Sequence, residues 1–205
     1  MKAKTLVGEF GVSAGDRDYL FRPSLLAMDS LGSPSEIVEK FATLYSAPPE
    51  NPYFPMQAYR SWERDIVSVA YDVLVACCEE DVIELVGHMG TRWGTFKPGL
   101  IPSSDMVHLA RMLMVNGLIG DVPPAKSGPS KGEYSAEFDA RKYVSQAVIH
   151  LGLTPDAAWN LTMTEFILYM REKIGEPEQK TPTLEEYDAD MKRLDEINAI
   201  RDAGK

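Results

Sequence analysis

Three histidines, two cysteines and a few carboxylate clusters are the residues whose types could carry chemistry in this chain, and their spacing decides what they could do. His88, His108 and His150 fall on separate segments, and none stands in a metal-binding spacing such as H-E-x-x-H or C-x-x-C. Asp105 and His108 are three residues apart, which puts both side chains on one helix face. There a carboxylate can orient an imidazole for proton transfer or form a surface ion pair, and without a third group the ion pair is the simpler reading. Cys77 and Cys78 are neighbours, so on a helix they point about 100° apart and bridge each other poorly. They read as reduced thiols in an apolar helix. The run from Gly90 to Lys97, GTRWGTFK, lacks the G-K-[ST] ending of a phosphate loop, and no serine sits in G-x-S-x-G. Glu79-Glu80-Asp81 and Glu185-Glu186 fall in first or early helical turns, where negative charge complements the helix dipole without a metal. The spacings thus point to no catalytic residue, no cofactor site and no metal site, and the chain is expected not to be an enzyme.

The elements that position these residues are mostly helices. Leu6–Phe10 and Asp18–Phe21 read as an N-terminal β-hairpin, about residues 5–22, with a loose loop from Gly11 to Arg17. Pro23 suits the first turn of a short helix through Leu25 and Met28 that ends at Gly32. Ser33-Pro34-Ser35-Glu36 is a capping box, and Ile37, Phe41 and Leu44 follow on one face until Pro48-Pro49. Ile66, Val69, Ala70, Val73, Leu74 and Cys77 describe a long helix with an aliphatic face. Val82, Leu85 and Val86 suggest a second helical piece closed by Gly87 and Gly90, and a loop then runs to Pro102. Ser103 is the expected N-cap of a helix stopped by Asn116-Gly117. Residues 121–132, DVPPAKSGPSKG, read as a flexible loop. Ser135 is the expected cap of a helix ending at Gly152, Thr154-Pro155-Asp156 begins another, and Thr162 and Glu165 form a capping box for a third that Gly175 terminates.

Residues 176–205 begin with a polar linker and continue as an amphipathic helix with Leu184, Tyr187, Met191 and Leu194 on one stripe. The expected fold is therefore mainly α: a helical domain over residues 1–175 with a short N-terminal β-hairpin, and a separate C-terminal amphipathic helix. Such a helix either folds back on its own domain or docks into a partner's groove, so Leu184, Tyr187, Met191 and Leu194 are candidate partner-binding residues. Trp93, in a loop, joins them because tryptophan is enriched at interface hot spots. Trp62 and Trp159 lie close to helix starts, where tryptophan is usually core.

Composition narrows the partners. An apolar share of 44% over 205 residues supports a folded core. With 31 acidic against 21 basic side chains the formal charge is −10, which repels phosphate polymers and anionic lipid surfaces, so no nucleic acid and no membrane is expected as a partner. No apolar run reaches the length of a membrane span, and the first residues do not form a signal peptide, which points to the cytoplasm.

Several segments resemble the tail-assembly chaperone-like proteins of long-tailed bacteriophages, encoded near the tape-measure gene. They are GEFGV with YLFRPSLLAMDSLGSPSEIVEKFATL, the helix VAYDVLVACCEEDVIELVG, and LGLTPDAAWNLTMTEFILYMREK. The resemblance covers most of the chain and carries over no catalytic residue. It implies a protein that binds the tape-measure protein and tail-tube subunits without covalent chemistry, works in the host cytoplasm and is absent from the mature virion. Relatives of that kind often self-associate, so a homo-oligomer is allowed for. The alternative is a structural virion protein, a tail-completion or connector component.

Overall fold

The computed structural model describes residues 5–50, 53, 55–89, 96–123 and 136–174. The chain divides into two units, Met1–Ile174 and Gly175–Lys205, and every described residue belongs to the first. The fold is mainly α with a short N-terminal antiparallel hairpin.

That hairpin pairs β1, Phe10–Ala14, with β2, Arg17–Phe21, in a register that runs from Phe10 opposite Phe21 to Ala14 opposite Arg17. The turn is therefore the two residues Gly15-Asp16, not the loose Gly11–Arg17 loop read from the sequence. Gly15 has φ +61°, the left-handed conformation that such tight turns demand and that glycine adopts without a Cβ penalty. The strand residues Gly11 to Ala14 carry too few large apolar groups to announce themselves. On β2 the alternation places Tyr19 and Phe21 in the core.

The short helix α1, Leu25–Asp29, starts after Pro23 rather than with it, because the Ser24 hydroxyl caps it by accepting from the Ala27 N–H. The capping box of α2, Pro34–Tyr45, forms as read: the Glu36 carboxylate accepts from the Ser33 backbone N–H at 2.7 Å. The long helix α3, Pro55–Cys77, buries Ile66, Val67, Ala70, Val73, Leu74 and Cys77. It packs against α5, Ser103–Met114, whose Met106, Ala110, Leu113 and Met114 complete the contact. Removing a fully buried leucine such as Leu74 from this interface leaves a cavity costing about 2–5 kcal/mol.

Between these two helices the chain forms α4, Ile83–Val86, and then a narrow ribbon of β3, Gly87–Met89, with β4, Phe96–Pro98. The sequence reading gave the helical piece but, in place of the ribbon, its closure at Gly87 and Gly90 and a loop to Pro102. Three-residue strands show no alternation long enough to detect.

Helix ends differ from expectation in three further places. Pro102, not Ser103, is the N-cap of α5, and no side-chain bond closes that end. Asn116-Gly117 does not stop the helix, which continues as a π turn over Val115–Ile119 to Gly120. The buried Asn116 side chain donates to the Met112 carbonyl and accepts from Thr164 at 2.8 Å, so a tertiary bond overrides the local stop signal. Asp139, not Ser135, caps α6, Ala140–Gln146, and Phe138 is a buried residue ahead of the helix rather than within it. A second π turn, Ala147–Leu151, leads to Gly152; α7, Pro155–Trp159, and α8, Met163–Ile174, follow, each beginning at the expected place.

Candidate protein-binding face

Segment Arg22–Leu25 joins both ends of the body, and its local bonds explain why. Arg22 donates its N–H to the Cys77 carbonyl at the end of α3, and Leu25 donates to the Leu161 carbonyl before α8. The Arg22 guanidinium thereby lies among three acceptors: the Glu9 carboxylate, the Glu165 carboxylate at 2.8 Å and the Asn160 carbonyl at 2.9 Å. Glu165 also closes the α8 capping box with Thr162, accepting from its backbone N–H at 3.0 Å. This largely buried cluster sets one guanidinium between two carboxylates, and its bonds tie the N-terminal segment to α8.

The residues with chemical potential in the sequence are not brought together. His88, His108 and His150 are exposed on β3, on α5 and in the second π turn. Asp105 does not pair with His108 as expected; its carboxylate accepts instead from the adjacent Ser104 hydroxyl. Asp81 accepts from the Ile83 N–H and so opens α4, while Glu79 and Glu80 precede that helix in a bend. Both cysteines are free thiols. Burial pushes Cys77 far above the usual thiol range and also raises Cys78, where hydrogen bonds from the Glu80 and Leu20 backbone oppose the rise and the Glu80 and Glu79 charges add to it. Among the described residues no group of three or more His, Cys, Asp or Glu is placed to hold a metal ion. Leu184, Tyr187, Met191, Leu194 and Trp93 lie outside the described residues.

A different set of residues is assembled, at the meeting of α2, α3 and α5. The Phe41 and Tyr45 rings, one turn apart, meet at a tilt with centroids 4.8 Å apart, and Tyr59 meets Trp62 at 5.4 Å. The Trp62 indole N–H donates to the Ser46 hydroxyl at 3.0 Å, pinning α3 to the end of α2. From α5, Arg111 donates its Nε to the Leu44 carbonyl at 2.7 Å, satisfying one of the carbonyls a helix end leaves without a partner, and its guanidinium carbon lies 5.4 Å from the Tyr45 ring centroid. Between α3 and α5, Tyr59, Trp62 and Arg111 border a groove of about 310 Å³ with Ile66, Val67 and Val107 in its lining. Tyr45 and Tyr59 remain 49% and 45% exposed. Large rings braced by neighbouring groups and still accessible are what a protein partner buries at little entropic cost.

A legible signal for this face lay in α3. Tyr59 and Trp62 extend the Ile66, Ala70, Val73 stripe toward the N-terminus, with spacings from Tyr59 of three, four, four and three, so the apolar stripe is longer than the core it serves. Arg111 could not be found that way, because its partners Leu44 and Tyr45 belong to another helix.

The fold and this face describe a helical protein with a preformed aromatic groove. The chain belongs to DUF6246, a family of unknown function, whose match spans residues 21–189 and so includes the groove, the Arg22 segment and all of α8. No curated protein and no solved structure matches the chain.

Proposed function

We propose that this protein is a bacteriophage tail-assembly chaperone that binds the tape-measure protein and tail-tube subunits by non-covalent contacts. The observation that carries the reading is the aromatic groove between α3 and α5, bordered by Tyr59, Trp62 and Arg111. The segments quoted above from the hairpin, α3 and α8 add the resemblance to that class. A tape-measure protein is a long chain expected to expose apolar helical stripes before the tube forms around it. A helper with a stiff aromatic groove covers such a stripe, and a formal charge of −10 keeps the complex in solution.

On this reading the protein acts in the host cytoplasm and leaves before the virion is complete. Quantitative mass spectrometry of purified virions, set against the infected lysate, tests it: the chain should be plentiful in the lysate and absent from particles. Recovery in particles at a fixed ratio to the tail-tube protein would instead establish a tail-completion or connector component.

A further inference from the structure

We propose that the α3–α5 groove takes one amphipathic helix from a partner protein, with a carboxylate on one edge of its apolar stripe seated on Arg111 and a Lys or Arg on the other edge facing Glu63. The proposal rests on the chaperone reading and deepens it by naming what the groove accepts.

The walls carry the argument. Arg111, on α5, is held by its Nε bond to the Leu44 carbonyl and by the Tyr45 ring, which leaves the two terminal nitrogens of the guanidinium as donors fixed in place. No carboxylate among the described residues pairs with it. Glu63, on α3, lines the same groove from the other side, and no cation among the described residues pairs with it either. The two are not within ion-pair distance of each other. Opposite charges thus stand unneutralised on the two rims of an apolar floor, and a helix with one acid and one base flanking its stripe complements both at once. Arg111 is the stronger of the two, because its fork is preoriented and partly buried whereas Glu63 is exposed. A groove between two packed helices suits a third helix, whose residues at i, i+3, i+4 and i+7 enter it as a row. A uniformly acidic helix is excluded by the −10 charge of the chain, so the carboxylate is one among neutral and basic neighbours.

The test uses the full chain and stapled helical peptides of about 18 residues. Each has a leucine stripe, one Glu stepped through the positions along one edge and one Lys on the other, with Gln twins replacing Glu or Lys. Binding is read by fluorescence polarisation, and its place by the Trp62 indole resonance, assigned with Trp62→Phe. The best Glu-bearing peptide should bind about tenfold more tightly than its Gln twin, and Arg111→Gln should abolish that preference. Loss of the Lys should cost about twofold. Arg111→Lys, which keeps the charge and loses the fork, should weaken the preference without abolishing it, and the Glu-against-Gln comparison on the unaltered chain stands without any variant. A preference within about twofold, binding that leaves the Trp62 resonance unmoved, or no binding by any peptide would overturn the proposal. Co-expression separates the two readings: a tape-measure protein kept soluble as well by Arg111→Gln removes the groove and keeps the chaperone, whereas peptide docking without such rescue does the reverse.

Discussion

At the residue scale, the cluster of Arg22, Glu9 and Glu165 is where one substitution does most harm. The Glu9 and Glu165 side chains are only 4% and 6% exposed and Arg22 is 25% exposed, so each acid relies on the guanidinium in place of water. Arg22→Met should destabilise the fold by about 3 kcal/mol, because it leaves two carboxylates buried without their cation; urea unfolding followed by circular dichroism measures it. Glu36 is the local counterpart. Its bonds from the Ser33 backbone N–H and hydroxyl hold the carboxyl below its ordinary 4.5. A carboxylate lowered in the folded state adds stability above its unfolded pKa that is lost as pH falls through the folded one. The urea midpoint should therefore fall less steeply from about pH 5 to about pH 3 in Glu36→Gln than in the parent, and an NMR titration should place the Glu36 carboxyl below 4.5. The Ser33–Glu36 and Thr162–Glu165 boxes were legible because both partners lie three residues apart. Arg22 was not, because its acceptors Glu9 and Glu165 lie 13 and 143 residues away.

At the element scale, periodicity found the helices and failed wherever a distant bond sets an end. The stripe of α3 and the cap of α7 are local facts, and both appear where expected. The π turn through Asn116 and Gly117 depends on Thr164, and the start of the segment read as a flexible loop depends on α8: Asp121 donates to the Thr164 hydroxyl at 3.0 Å and Arg171 donates to the Pro123 carbonyl at 2.6 Å. The β3–β4 ribbon gave no sequence signal beyond its glycine. Gly87 has φ +91°, and a Cβ there would lie 2.0 Å from the Lys97 carbonyl oxygen. Gly87→Ala should break the ribbon and cost about 2–3 kcal/mol, with faster amide exchange at His88 and Lys97 than in α3 as the local readout.

At the scale of the whole molecule, the candidate site was half visible. Tyr59 and Trp62 continue an apolar stripe past the core, which the sequence states openly. Arg111, which lines the groove from α5, and Tyr45, the α2 ring against its guanidinium, come together only in the fold and carried no signal of their own. The groove lies between two packed helices, and a partner held there meets a helical surface rather than a loop, which favours slow release from a preformed site. The excess of acid over base acts at longer range, keeping copies of a loaded complex apart.

The most direct test is co-expression of the full chain with the long tape-measure-type protein, measuring how much of that partner stays soluble and co-purifies, beside Arg111→Gln and a chain ending at Gly175. The unaltered chain should keep the partner soluble and bind it stably, Arg111→Gln should lower recovery several-fold, and loss on truncation would add residues 176–205 to the binding surface. A partner that precipitates equally with and without the unaltered chain would contradict the account.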